Sequence, residues 1–466
     1  MSVSPFSPPN VIIPTEPDPA LVKMLYDLEA VRGAWRCDLT KYDQYLRGEQ
    51  PLTFMSDAMR SEFGDQITSL VLNWPELGTE AYENRVDVEG FRFPGESAGD
   101  ESLWATWQAN NMDEQSSMGH TDAIALSRAA AIVGGPDAGD DEPVVTVESA
   151  FDVAWLRSPR SGAIRAGLKR WTEDDGTEFA NLYVPGATHT LSWLRGQWLP
   201  VTTDPHGIER PLLVPLVNLP RTKYRDGRSE FSSIIGLADA ANKMATDMMI
   251  SGEYHAMPRR WAFGLKRDDF VDANGNKKSA WAFTKGRLWA NENKDVKVGQ
   301  FPEADLKNFH DTIRLLAQLA SQMLALPDDY MSFTSDNPPS ADALRAAEAR
   351  MVKRVERKHV SFGGTWEEVM RLTQRIKTGA FDPNARALET VWRNPATPTV
   401  AQKADATVKL YAAGITPLEQ ARIDLGYTPA QRIEMRRMDD EAVANDPILN
   451  ASRALTGGAD AAAGGL

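Results

Sequence analysis

Apolar residues recur at intervals of three and four along most of this chain and at intervals of two in one stretch. Within 229–256, Phe231, Ile234, Ala238, Ala241, Ala245 and Met248 keep the helical interval, which predicts one continuous helix of about seven turns. Its seam is mostly alanine, so a neighbouring helix can approach closely along Ala238, Ala241 and Ala245, while Asp239, Lys243 and Asp247 alternate in charge on another face. A second helix, over 304–326, follows Leu306, Phe309, Ile313, Leu316, Ala320 and Met323 and stops before Pro327. The two are expected to pair. Between them, residues 257–303 hold three short aromatic runs, Trp261-Ala262-Phe263, Trp281-Ala282-Phe283 and Arg287-Leu288-Trp289, read as strands around an Asn274-Gly275 turn. Residues 327–340 form a polar loop, and Ser340 N-caps a long helix over about 341–380, with Asp342 in its first turn and a kink expected at Gly363-Gly364.

The flanking regions are less regular. Six prolines between Pro5 and Pro19 predict a loose arm over 1–20. From Leu21 to about Trp107 the pattern is helical in pieces, interrupted at Gly48 to Pro51, Trp74-Pro75 and Phe93-Pro94-Gly95. Between Val144 and Leu199 the period becomes two, as in Ile164, Ala166 and Leu168 against Arg165, Gly167 and Lys169, and Asp174-Asp175-Gly176 supplies a turn before Phe179 to Val184. An antiparallel meander follows from that alternation. Three late helix starts place a threonine at N-cap and an amide or carboxylate three residues on: Thr399 with Gln402, Thr416 with Glu419, Thr428 with Gln431. Pro417 and Pro429 sit at N1 of the last two, and Gly414 and Gly426 end the first two. Residues 446–466, rich in Ala, Gly and Asp, are too poor in large apolar side chains to pack and are expected to be disordered.

A chain of 466 residues exceeds one ordinary core, and 42% hydrophobic with 25% charged residues is the balance of a globular protein. No apolar run is long enough to cross a bilayer, and Met1 to Pro19 lacks a signal-peptide pattern, so no membrane partner is expected. Cys37 is the only cysteine, which excludes an intrachain disulfide and a thiolate metal cluster and fits a reducing compartment. The formal charge of −14 argues against a tight grip on nucleic acid, so any DNA contact is weak or transient.

No motif for chemistry emerges. There is no phosphate-cradling Gly-x-x-x-x-Gly-Lys-Ser/Thr and no Gly-x-Ser-x-Gly elbow. Asp272 to Asn276 begins like a calcium loop, but Lys277 replaces the needed glycine and Phe283 the bidentate glutamate. The six histidines have no metal-ligand spacing and read as structural; the tryptophans read as core or interface packing rather than base-stacking platforms. No cofactor, metal or catalytic residue is expected. Arg345, Arg350, Lys353, Arg354, Arg357 and Lys358 cluster on the long helix. They touch an acidic neighbouring subunit or DNA phosphates, or they form a solvated helix face.

Three segments resemble the tailed-bacteriophage portal family, in the branch typified by Bacillus phage portals and found in actinobacterial phages. The first is Tyr45-Leu46-Arg47-Gly48 with Asn73-Trp74 and Val88 to Phe91. The second is Gly227-Arg228-Ser229-Glu230 leading through Leu237 to Lys243 and on to Ala256-Met257-Pro258-Arg259-Arg260. The third is Asp336-Asn337-Pro338-Pro339-Ser340-Ala341, with Glu348 and Phe362-Gly363 downstream. The resemblance implies an α+β portal fold and a non-enzymatic ring of twelve subunits at one capsid vertex of the virion, made in the host cytoplasm. In it, 21–228 with the long helix forms a wing, 229–256 and 304–326 two stem helices, 257–303 a clip, 327–340 a tunnel loop and 381–445 a helical crown. The implied partners are the terminase large subunit, a head–tail adaptor, major capsid and scaffold proteins, and duplex DNA passing through the channel. Asp328, Asp329, Tyr330, Asp336 and Asn337 are the expected channel lining, Ala238, Ala241, Ala245, Leu306 and Ile313 the expected subunit packing, and Arg350, Arg354 and Arg357 the expected basic contact face. An acidic bore would let DNA slide, where a lysine-lined one would release counterions and hold it. The alternative is a head-to-tail adaptor or minor capsid component with no channel of its own.

Overall fold

The structure, a computed structural model, describes residues 18–51, 70–96, 99–137, 139–256, 260–263, 297–300, 306–327, 330–331, 341–396, 400–427 and 429–444. The chain divides into two compact units after Pro395. In the first, α1 spans Pro19–Leu46 with proline in its first turn, and the Asp18 carboxylate accepts from the Ala20 amide at 2.8 Å. The helix therefore starts inside the stretch expected to be a loose arm, because Asp18-Pro19 is itself a helix start. Helices α2 (Trp74–Glu83), α3 (Glu101–Ala109) and α4 (Met112–Leu126) follow, with strand β1 (Val88–Arg92) between α2 and α3. Trp74-Pro75, expected to interrupt a helix, opens α2 instead.

Eight antiparallel strands come next. β2 (Arg128–Pro136), β3 (Pro143–Ser149) and β9 (Leu213–Val217) form one sheet in the order β3-β2-β9. The meander predicted from the period-two stretch is there: β4 (Val153–Arg157), β5 (Ile164–Thr172), β6 (Glu178–Val184), β7 (Ala187–Leu194) and β8 (Gln197–Asp204) pair in chain order. Gly176, at φ +83°, makes the turn between β5 and β6. Ala166 and Leu168 bury on the face covered by Leu25 and Leu28 of α1, together with Ala180, Leu182, Leu191 and Trp198. The meander is thus closed on one side by the first helix.

After β9 a 3-10 turn, Glu230–Ser233, precedes α5 (Ile235–Ala256), so the helix expected from 229 onward has a separate first turn. β10 (Arg260–Phe263) and β11 (Lys297–Gln300) pair antiparallel. The first predicted aromatic strand falls in β10; the other two and the Asn274-Gly275 turn lie outside the described residues. Helix α6 is Lys307–Leu324 and α7 Ala341–Thr378, unbroken across Gly363 and Gly364. Gly363 serves close packing: a Cβ there would stand 3.3 Å from Trp392 Nε1. That tryptophan belongs to β12 (Glu389–Trp392), which pairs antiparallel with β1 some 300 residues earlier, in a register that sets Phe91 opposite Thr390. Residues 381–395, expected among the crown helices, therefore return to the first unit, drawn by the strand-forming Thr390-Val391-Trp392.

The main core joins α2, α3, α4, α7 and the three-stranded sheet. Gly119 lets α4 sit on that sheet, since a Cβ would lie 2.7 Å from Val147 and 3.4 Å from Leu216. Helix α7 runs along the β9 edge, where the Ser361 and Thr365 hydroxyls donate to the Val217 and Pro215 carbonyls at 2.9 and 2.8 Å. Those bonds occupy edge groups that would otherwise invite another strand. In the core, Trp107 packs edge-on to Trp366, and His120 stacks on Phe362 with ring centres 5.1 Å apart. The Trp366 indole donates to His120 Nε2 at 2.9 Å.

The second unit holds α8 (Val400–Ala412), α9 (Leu418–Leu425) and α10 (Pro429–Ala444). Gly426 ends α9 in the left-handed conformation, φ +92°, its amide bonded to Ile423. Pro417 rather than Thr416 is the residue preceding α9, one position later than expected. Glu419 gathers Arg432 and Arg436 at 3.3 and 2.6 Å, and Arg422 reaches Asp439 at 2.7 Å.

Two outcomes follow. Burial, with a smaller contribution from His359, pushes His120 down to about 3, so it stays neutral in the fold while the unfolded side chain titrates near 6.5. Stability is full above the unfolded value and falls as pH drops from there towards 3, by up to about 1.4 kcal/mol per pH unit from this residue. Denaturant unfolding at several pH values will give His120→Gln a shallower slope in that window; an unchanged slope refutes the assignment. Gly227, at φ +76°, has the Asn218 carbonyl oxygen where a Cβ would come within 2.3 Å. Gly227→Ala will cost about 2 kcal/mol or more in thermal or chemical unfolding.

Candidate functional site

The start of α5, the end of β9 and the middle of α7 converge on one buried carboxylate. Glu230 and Lys358 are both about 1% exposed and form an ion pair. Lys358 Nζ also donates to Asn218 Oδ1 at 2.6 Å, and Asn218 Nδ2 donates to Glu230 Oε2 at 3.1 Å. Arg354 Nε stands 2.7 Å from the other Glu230 oxygen. Burial alone would raise the Glu230 pKa, but Lys358 and Arg354 outweigh it and hold the carboxyl below its ordinary value. Above this cluster Tyr82 presents its ring face to Lys358 Nζ at 4.9 Å and donates its hydroxyl to the Leu324 carbonyl.

That arrangement redefines the basic cluster of the long helix. Arg354 also donates to the Met323 carbonyl at 3.2 Å, and Arg350 to the Gln322 carbonyl at 3.4 Å. Both cap the C-terminal end of α6, where free carbonyls and the helix dipole favour cations. Arg350, still exposed, and Arg354 thus have partners within the chain, and of the three only Arg357 is exposed without such a partner among the described residues. Lys358 is fully interior. A sign was present in the sequence: Met351, Val355, Lys358, Phe362, Trp366 and Val369 keep the helical interval, so Lys358 interrupts an apolar stripe and needs a buried anion.

The alanine seam is corrected in the same way. Ala238, Ala241 and Ala245 are 0 to 1% exposed inside a single chain, and Ala238 and Ala241 share the main core with Ala317, Ala320 and Leu324 of α6. Small side chains allow close approach, but the helix that approaches is the chain's own. Ile313 is half-buried against the core, and Leu306, just before α6, is half-buried too. The face that α6 turns outward is instead Leu315, Leu319 and Met323, four apart and 55, 40 and 47% exposed.

Tyr330 does not point away from the protein: its hydroxyl accepts from Arg85 at 3.0 Å, beside the Arg85–Glu348 ion pair, and its ring packs on the core. The half-buried Arg85 guanidinium supplies the hydrogen bond that this inward phenol accepts. Asp328, Asp329, Asp336 and Asn337 lie outside the described residues. Among the described residues no group of three or more His, Cys, Asp or Glu is placed to hold a metal ion.

Removing one partner of the buried pair leaves a charge uncompensated. Lys358→Met alone will cost about 3–5 kcal/mol in denaturant unfolding, and Lys358→Met with Glu230→Gln will recover most of it. Simple additivity of the two changes would sink this reading. The Glu230 contribution is present above the ordinary carboxylate pKa and is lost as pH falls through its lowered value.

The family model described as phage portal protein, SPP1 Gp6-like, matches residues 37–445. The portal protein of Mycobacterium phage D29 is 38% identical over 396 residues, 81% of each chain. That of Mycobacterium phage L5 is 37% identical over 388 residues, 80% of this chain and 79% of its own. A chain from the neck of an empty GTA particle superposes with a TM-score of 0.47 at 13% identity, covering 82% of this chain and 96% of its own. With the match running from α1 to the last helix of the second unit, this chain belongs to the SPP1 Gp6-like family of phage portal proteins.

Proposed function

We propose that the chain is one subunit of a closed twelve-membered ring at a single capsid vertex, a passive conduit through which duplex DNA enters and leaves the head. The observation that carries the ring is the outward stripe of α6. Leu315, Leu319 and Met323 stay 40 to 55% exposed, whereas the opposite face of the same helix is buried against α5. An apolar stripe of that kind on a soluble subunit calls for a partner surface. In a rotationally symmetric ring the next copy supplies it, through a head-to-tail contact that closes on itself. The second unit adds to this need, with Val408, Ile415 and Met438 at 60, 70 and 54% exposure.

The energy of DNA movement then comes from a packaging ATPase, the terminase large subunit, docked on the ring, and a head–tail adaptor later takes that place. Major capsid and scaffold proteins surround the ring during assembly in the host cytoplasm. The formal charge of −14 suits a duct that must not hold the duplex, because each phosphate contact made by a cation releases counterions and adds binding energy. Asp328, Asp329, Asp336 and Asn337 are the residues of the 327–340 loop assigned to the channel wall.

Native mass measurement of the purified chain will show an assembly of twelve 51.5 kDa subunits, about 618 kDa. Leu319→Glu places a charge in the shared contact and will leave a folded monomer. A wild-type chain that stays monomeric under all conditions, or a Leu319→Glu ring, contradicts the proposal.

A further inference from the structure

We propose that the groove between the β4–β5 hairpin, the segment following β9 and helix α7 binds a phosphate group. It is an open depression of about 430 Å³ whose wall includes Arg157, Arg221, Arg225, Thr222, Ser361 and Thr365, over a floor of Pro215, Val217 and Pro220. Three arginines line it and no carboxylate does, in a chain whose net charge is −14. Residues 221–228 concentrate Arg221, Lys223, Arg225 and Arg228 against the single Asp226.

The wall is ordered by its own contacts. Arg157 donates to Asp226 Oδ1 at 2.9 Å and to the Gly162 carbonyl at 3.2 Å, and Trp155 donates to the same Asp226 oxygen at 2.7 Å. Asp226 is thus engaged by Arg157 and Trp155. Arg225 lies across Gly162, where a Cβ would come within 1.6 Å of its guanidinium, so the hairpin glycine makes room for that side chain. Arg221 and Arg225 are exposed. One turn before Ser361, on the same face of α7, stands the exposed Arg357.

The chemistry of the groove selects among anions. The Ser361 and Thr365 hydroxyl hydrogens are committed to the Val217 and Pro215 carbonyls, so an anion must be held by guanidinium groups. Their planar fork of donors matches phosphate oxygens in pairs. An extended acidic peptide would instead seek the edge of β9, but the carbonyls there are occupied and Pro215 has no amide to offer. A phosphate, as part of duplex DNA or as a free ion, needs no such edge. The proposal does not rest on the ring.

The test uses the full chain, the double variant Arg221→Ala/Arg225→Ala, and Lys353→Ala as an exposed cation elsewhere on α7. Two probes are used: a fluorescent short DNA duplex titrated across a salt series, and inorganic phosphate against chloride at matched ionic strength, read as a thermal shift. If duplex is the source, the slope of log affinity against log salt will shrink by about two in the double variant and stay unchanged in Lys353→Ala, and free phosphate will compete with the duplex. If the source is free phosphate, the phosphate-dependent thermal shift will vanish in the double variant while the duplex binds neither protein. Unchanged melting in chloride confirms that the variant is folded. The proposal is overturned if both probes bind the double variant as they bind the original, or if neither binds the original.

Discussion

The first unit is organised around a carboxylate that water cannot reach. Glu230 sits at the point where the chain leaves the three-stranded sheet and begins the pair of helices α5 and α6, and its two oxygens are divided between Lys358 and Arg354 of α7. A charge in such a place is tolerable only when its partners are in position, because the cost of desolvation falls on any arrangement that leaves it alone. The sheet contributes Asn218, whose backbone also bonds Ser127 and Arg228, so the end of β9, the turn before α5 and the long helix are fixed relative to one another by one cluster. Gly227 is demanded by the same crowding, since the Asn218 and Ser127 carbonyl oxygens and the Val217 side chain stand too close for a Cβ.

What the cluster organises, hydrophobic burial stabilises. Trp107, Trp366, Phe91 and Phe362 fill the space between α3, α4 and α7, and each is fully buried. His120 belongs to that group rather than to any site of chemistry, since its ring is stacked, its Nε2 accepts a hydrogen bond and its environment keeps it neutral. The α5–α6 pair leans on this body through alanines on both helices, which brings the two backbones close and leaves the larger side chains of α6 facing away.

Local pattern made much of the architecture legible. The meander followed from alternation and from Asp174-Asp175-Gly176, and the long helices from their three-and-four spacing, because both signals are written in neighbouring residues. What sequence did not reveal depends on pairs far apart. Nothing near Thr390 announces β1, and nothing near Glu230 announces Lys358, 128 positions away. The partners of single side chains were hidden for a related reason. Periodicity correctly located an alanine seam and a run of cations, but it cannot say whether the surface that meets them belongs to another subunit or to the same chain. Ala238, Ala241, Arg350, Arg354 and Tyr330 all met their own chain. Arg350 and Arg357 stay exposed, and Arg357 stands beside a basic groove assembled from three segments that no single stretch displays.

The end of α6 is held by Arg350, Arg354 and Tyr82, and the helix runs from there with its inner face on α5. Eighteen residues at about 1.5 Å each give an arm of about 27 Å from Leu324 to Lys307. Leu315 lies near the middle of that arm and Leu319 and Met323 in the half nearest its held end, so a surface covering them meets the helix where it is most firmly fixed to the long one.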